Sequence, residues 1–270
     1  MSMLPSYRPL IMGILNVTPD SFYDGGKYID AKDAVLHAKK MISEGAHIID
    51  IGGESSRPGS EPISADEESK RVIPVIKALF EDEYVSKNVI LSLDTFKPEV
   101  AEKCLNIGKM IINDITGLKN KNMLKIVAKH KVPAVIMHMH GSPKIMQKNP
   151  QYEDVVQEVY DFFRQMIGEA KQYGMSELIL DPGIGFGKTL EHNLLLLKNI
   201  KRFKELGCPV MIGASRKSFI NMISKADSEE RLPGTISAHL YSLSHGADII
   251  RVHDVKEHIQ AVKVWGALNG

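Results

Sequence analysis

The sequence predicts an α/β protein built as a single (β/α)8 TIM barrel, and three observations carry that prediction. Eight short runs dense in Ile, Val, Leu and Met alternate with longer stretches of helical period along the 270 residues. The apolar runs show no clear alternation with polar residues, as expected of strands buried on both faces. Eight such units match the roughly 250 residues that a closed barrel of this kind takes. An open doubly wound sheet is the competing arrangement, but no GxGxxG opens a helix after the first run, which weighs against its dinucleotide-binding form. No linker or low-complexity segment interrupts the pattern, so residues 1–270 are read as one domain.

The expected strands are Leu10–Leu15, His47–Ile51, Val89–Leu93, Met110–Asn113, Pro133–Met137, Leu178–Leu180, Pro209–Ile212 and Asp248–Val252. The expected helices are Ala31–Glu44, Asp66–Phe80, Pro98–Leu105, Asn122–His130, Glu153–Tyr173, Leu190–Phe203, Pro233–His245 and Val255–Leu268. Asp30, Thr95 and Asp254 are candidate N-caps, and Pro98 suits a first turn. Gly45, Gly108, Gly174, Gly207 and Gly246 each follow a helical run, where glycine supplies the left-handed residue that ends a helix.

Composition excludes several classes. Lys and Arg total 34 against 33 Asp and Glu, a formal charge of +1, so nothing favours nucleic acid or an anionic membrane. Cys104 and Cys208, far apart and with no CxxC, point to reduced thiols rather than a disulfide framework or a cysteine-based zinc site. No stretch approaches the roughly 18 apolar residues of a membrane span, and Met1–Pro9 does not read as a signal peptide. A cytoplasmic location is expected.

Each apolar run ends in polar or glycine-rich sequence. In order these ends are Asn16, the stretch Gly52–Arg57, Asp94, Asn113 with Asp114, His138 and His140, Asp181, Ser215–Ser218, and Arg251 with His253. In a parallel barrel all of them face one end, where active sites are built. Taken singly, Asp94 reads equally well as a helix cap and Asn113 as a turn residue, and His138 reads more readily as a packed core residue than as a ligand. A full ring of polar ends is more than folding requires. The residue types also divide. Asp94, Asn113 and Asp181 offer acceptors and an amide, suited to a flat heterocycle bearing amino groups. Arg57, Lys217, Arg251 and His253 offer positive charge for a phosphate or another anion, and Arg251 can grip one with its two-pronged guanidinium. Ser215–Ser218 opens a helix, whose free N–H groups attract anions. The loops Thr18–Gly26 and Gly52–Gly59, carrying Asp24 and Arg57, have the composition of segments that close over a substrate.

Six segments, taken together and in order, resemble the motif set of the dihydropteroate synthase family: Asn16–Phe22 (NVTPDSF), Gly52–Gly59 (GGESSRPG), Ser92–Thr95 (SLDT), Asp181–Lys188 (DPGIGFGK), Ser215–Ser218 (SRKS) and Arg251–Val255 (RVHDV). The resemblance runs from about Pro9 to Gly270. It implies that 6-hydroxymethyl-7,8-dihydropterin diphosphate and p-aminobenzoate are joined to 7,8-dihydropteroate with release of pyrophosphate, a step toward folate. It implies that Asp94, Asn113, Asp181 and Lys217 hold the pterin, and that Ser56, Arg57, Arg251 and His253 hold the diphosphate, with Val252 among the substrate contacts. By the same resemblance, Ser218 would take the p-aminobenzoate carboxylate, Pro58 and Phe186 would line its ring, and Asn16 would lie at a Mg²⁺. The catalytic set so implied is Asp94, Asp24, Arg57 and Lys217. The family also implies a homodimer, and its members are targets of sulfonamides, which mimic p-aminobenzoate. This chain departs from the usual pattern at Ser56, where threonine is common, at Tyr23, often serine, and at His140, usually glutamine. A pterin-dependent methyltransferase would share the acceptor set but has no use for a diphosphate clamp. A non-catalytic pterin-binding paralogue should have lost Asp24 and Arg57, and both are present.

Overall fold

The chain was analysed as a computed structural model that describes residues 3–18, 31–55, 60–141, 146 and 150–269. Along it run β1 (Leu10–Asn16), α1 (Ala31–Ser43), β2 (Ile48–Gly52), α2 (Ala65–Glu81), α3 (Glu83–Asn88), β3 (Ile90–Asp94), α4 (Pro98–Leu105), β4 (Ile111–Asp114), α5 (Lys121–His130) and β5 (Ala134–Met137). There follow α6 (Val155–Gln172), β6 (Leu178–Asp181), α7 (Leu190–Lys198), α8 (Ile200–Lys204), β7 (Met211–Ile212), α9 (Ser218–Ser224), α10 (Leu232–Ser244), β8 (Ile249–Val252) and α11 (Val255–Asn269). A short 3₁₀ turn, Ser228–Glu230, precedes α10.

The eight strands form one parallel sheet in the order β6-β5-β4-β3-β2-β1-β8-β7. The two ends of that order meet through a parallel bridge between Leu180 and Val210, with the Leu180 N–H donating to the Pro209 carbonyl at 2.9 Å. The expected barrel is therefore present, with all eight expected strands.

Alternate residues of each strand face inward. At the deep end they are apolar: Leu10, Met12, Ile48, Ile111, Val135, Ile179, Met211 and Ile249 form one fully buried cluster. Each such side chain stabilises the fold by roughly 1.5–3 kcal/mol relative to exposure. Two residues further along, the same face carries Asp50, Asn113, Asp181 and Arg251. The outward faces pack under the helices in a second, larger cluster. In α1, Ala34, Ala38, Met41 and Ile42 recur at helical spacing and make the buried stripe.

Several local expectations change. Thr95 does not cap α4; Lys97 occupies that position, and the Thr95 hydroxyl accepts the Lys97 N–H at 3.2 Å. Pro98 does open the helix. Asp254 stands directly before α11 as expected, its carbonyl accepting the His258 N–H at 3.3 Å, and its carboxylate holds Arg216. Gly45, Gly174, Gly207 and Gly246 have positive φ as expected, whereas Gly108 does not. At Gly108 a β-carbon would lie 2.5 Å from the Phe80 ring, so close packing excludes a side chain there. The run Leu190–Phe203 splits at Asn199, and α3 starts unexpectedly because the Asp82 carboxylate accepts the Tyr84 and Val85 N–H groups. Among the described residues no helix is long and apolar enough to cross a membrane.

Candidate active site

Parallel register sets the mouth of the barrel. Asn16 pairs with Gly52, Gly52 with Asp94, and Asp94 with Asn113, which places the ends of β1 to β4 in one layer. One pleat deeper, the fully buried Asp50 joins this layer to β8. Its Oδ2 accepts from Asn113 Nδ2 at 2.9 Å and from Arg251 Nε at 2.6 Å. Arg251 Nη2 donates to Asp94 Oδ2 at 2.7 Å. Asp50 was not among the residues singled out by sequence. Its signal was a charge inside an otherwise apolar run, two residues before Gly52 and so on the same face.

This network places Arg251 differently from the sequence-based division. Arg251 does not stand apart with the cations; two of its donors are held by carboxylates of the acceptor side. Burial opposes its charge, but Asp50 and Asp94 more than offset that and raise its pKa. Asp94 is pushed up to about 7, chiefly by burial, with Arg251 pulling down and Asp50 pushing further up. Lys217 is lowered to about 7 by burial, with Asp181 opposing and Arg251 adding to the fall. Asp181 is raised by burial, against the Gly183 N–H that reaches its Oδ1 at 2.7 Å. Near neutral pH the mouth can thus change protonation at little cost, as acid–base and charge-stabilising sites do.

The loop after β6 brings Phe186 to Lys217. Lys217 Nζ lies 3.9 Å from the centre of the Phe186 ring, a cation–π contact. The loop can pass there because Gly183 has φ +68°, and any β-carbon on it would lie 1.9 Å from the His138 carbonyl oxygen. Lys188, also missed as an individual residue, pins this loop from below. Its buried Nζ donates to the Phe186 carbonyl at 2.9 Å and the His138 carbonyl at 3.2 Å, and lies 3.1 Å from His138 Nδ1. His138 is lowered to about 2 by burial, with Lys188 contributing, and so serves as a neutral acceptor within the packing. His140 is exposed and sets its ring against Tyr152.

The loops after β7 and β8 are cross-braced. Ser215 Oγ accepts the His253 N–H at 3.2 Å and lies 2.9 Å from His253 Nδ1. Arg216 makes a two-point ion pair with Asp254, through Nε at 3.0 Å and through Nη2. Lys217 occupies the N-cap position of α9 without a side-chain capping bond, and Ser218 is the exposed first residue of that helix. Beneath the loop after β2, Lys97 pairs with Glu54 and Glu68. Asp24, Ser56, Arg57 and Pro58, with Tyr23, lie outside the described residues.

An eight-stranded barrel with carboxylates, an amide and cations gathered at the carboxyl ends of its strands is the framework of a barrel enzyme for a small polar substrate. Comparison with known proteins narrows that class. A family profile described as pterin binding enzyme matches residues 12–253. The dihydropteroate synthase of Escherichia coli (strain K12) is 46% identical over 259 residues, covering 95% of this chain and 90% of that protein. The Yersinia pestis dihydropteroate synthase, solved with a sulfonamide drug, superposes with a TM-score of 0.91 at 41% identity, over 97% of this chain and 94% of that one. The Xanthomonas albilineans dihydropteroate synthase in complex with 7,8-dihydropteroate gives a TM-score of 0.88 at 40% identity, over 99% and 96%. The chain belongs to the pterin-binding enzymes and, within them, to the dihydropteroate synthase family of transferases.

Proposed function

We propose that the chain condenses 6-hydroxymethyl-7,8-dihydropterin diphosphate with p-aminobenzoate at this mouth, forming 7,8-dihydropteroate and pyrophosphate for folate biosynthesis. The observation that carries the placement is the joined set Asp50, Asp94, Asn113 and Arg251, with Lys217 stacked on Phe186 beside Asp181. Asp94 and Asp181 accept from the amino and ring N–H groups of the pterin, and Asn113 and Lys217 complete its hydrogen bonds. Arg251 and His253, with Val252 beside them and with Ser56 and Arg57 from the loop after β2, take the diphosphate. Ser218 receives the p-aminobenzoate carboxylate, and Phe186 and Pro58 flank its ring.

The chemistry is a substitution at the exocyclic carbon. The bond to the diphosphate oxygen breaks, and its electron pair leaves with pyrophosphate. The positive charge left behind spreads into the pterin, where the Asp94 carboxylate stabilises it. The lone pair of the aryl amine then forms the new C–N bond, and the nitrogen gives up one proton, which the released pyrophosphate can take up. Asp24 and Arg57 contribute by keeping water, the competing nucleophile, from the cation. The family implies Mg²⁺. The half-buried Asn16 ends β1 in the mouth layer, and its amide oxygen is a hard donor of the kind Mg²⁺ accepts. A Mg²⁺ held there would be completed by substrate phosphates and water. When bound, the metal neutralises charge on the leaving diphosphate. One domain over residues 1–270 and a cytoplasmic location, read from the sequence pattern, and a homodimer, implied by the family, belong to the same reading.

Incubating the protein with Mg²⁺, the dihydropterin diphosphate and p-aminobenzoate should yield pyrophosphate and dihydropteroate in equal amounts. Folded protein that forms neither product would overturn the proposal.

A further inference from the structure

Two buried histidines lie outside the substrate contacts and still connect the loops that carry them. His239 of α10 and His258 of α11 are 0% and 1% exposed, and their rings meet through Nδ1 of the first and Nε2 of the second at 3.0 Å. The backbone N–H of Ala214 reaches His239 Nε2 at 3.1 Å. At the other end, His258 Nδ1 lies 2.6 Å from the Asp254 carbonyl oxygen.

These contacts settle where the protons are. An N–H can only donate, so His239 Nε2 is bare and its proton sits on Nδ1. That proton goes to His258 Nε2, which must also be bare. His258 therefore carries its proton on Nδ1 and donates to the Asp254 carbonyl. Every bond runs in one direction and both rings are neutral. Protonating His239 would set a second N–H against that of Ala214, and protonating His258 would do the same against His239. The surroundings agree. Burial lowers both histidines; His258 and His253 push His239 further down, while Asp254 and Glu257 pull His258 only partly back.

The chain of bonds closes on itself. Asp254 holds Arg216 through its carboxylate, and Arg216 is two residues from Ala214. The Arg216 N–H donates to the buried Thr235 hydroxyl of α10 at 3.0 Å. The ring Ala214–His239–His258–Asp254–Arg216 thus spans the start of the loop after β7 and the end of the loop after β8. Lys217 and Ser218 follow directly on the first loop, and His253 lies on the second. We propose that His239 and His258 are positioning residues whose one-way relay fixes these two loops relative to each other, and so aligns p-aminobenzoate with the bound pterin. This inference rests on the placement of p-aminobenzoate at Ser218 given above.

The test compares His258→Leu, which deletes the relay, with His258→Gln, whose carbonyl can accept from His239 while its amide donates to Asp254. In His258→Leu the KM for p-aminobenzoate should rise about tenfold, the factor corresponding to about 1.4 kcal/mol. The Kd for a free dihydropterin, which Asp94, Asn113 and Asp181 hold from strands outside the relay and Lys217 only in part, should change far less. His258→Gln should recover most of the loss. A histidine that only supports folding would lower Tm and leave the KM of the folded protein unchanged, and that result overturns the inference, as would equal losses for both ligands. Should His258→Leu not fold, His258→Gln and the ring ¹⁵N spectrum of the wild type decide it: either ring found as Nε2–H or charged at neutral pH overturns the relay. Ser218→Ala separates the two readings. An unchanged KM there overturns the placement of p-aminobenzoate, whereas a raised KM there beside an unchanged one in His258→Leu overturns the relay alone.

Discussion

On β2, Ile48 and Asp50 face the same way and neither is exposed at all, yet they work by opposite physics. Ile48 belongs to an apolar floor that lowers free energy by leaving water. Asp50 belongs to a mouth whose charges are costly to bury and are kept only because they hold one another. The same change, two residues along, recurs at Ile111 and Asn113, Ile179 and Asp181, and Ile249 and Arg251. The barrel therefore separates stability from chemistry by depth along each strand. Damage to the floor should appear as lost stability and damage to the mouth as lost activity.

The largest effect is expected for Arg251→Ala. It leaves Asp50 and Asp94 without their shared partner, and kcat/KM should fall about 10³-fold, as when a preorganised charge-stabilising donor is lost. Stability should fall as well, by about 2 kcal/mol, because the side chain is 20% exposed and the mouth admits some water. Titration calorimetry with a free pterin sharpens the comparison. Because Arg251 organises the acceptor side too, pterin binding should weaken together with diphosphate binding. Intact pterin binding would restore the simple division into an acceptor side and a cation side.

Leu10→Ala probes the floor. It should cost about 3 kcal/mol in denaturant unfolding, the usual range for a buried leucine. Turnover of the folded fraction should stay within about twofold, since mutations at distant sites act independently. A large loss of turnover in the folded fraction would show that floor and mouth are not separable.

The remaining contrast concerns pH. With Asp94 raised to about 7, kcat/KM should decline on the acid side of that value, and substitution by Asn should remove this limb along with most of the activity. The stability effect has the opposite sense. A carboxyl whose folded pKa is raised binds its proton more tightly folded than unfolded, so stability is lost as pH rises from 3.8 through about 7. Asp94→Asn should therefore gain on the wild type in thermal melts as pH goes from 4 to 8. A gain in the reverse direction would mean that Arg251 holds Asp94 ionised throughout.

Much of the mouth is legible in the sequence. Asp94, Asn113, Asp181, Lys217, Phe186 and Arg251 each follow or end a strand run, and the structure gathers them at one end. Asp50, Lys188, His239 and His258 were passed over because they lie inside runs that read as strand, loop or helix. Nothing in their neighbours' spacing shows that a distant donor faces them. Thr95 and Gly108 were misread for a related reason: the actual cap and the Phe80 ring against Gly108 are set by packing.

By itself the sequence determined the number and order of strands, the main helical runs between them and the polar residues at their ends. Those features follow from local periodicity and residue type, which a short window contains. Only the tertiary structure decided that Asp50 meets Arg251 across 201 residues, that Arg251 sits among the acceptors, and that burial moves Asp94 and Lys217 to about 7. Adjacency around a closed barrel depends on register and closure, and pKa depends on what is buried beside what. Both are properties of the assembled barrel, and no single strand carries them.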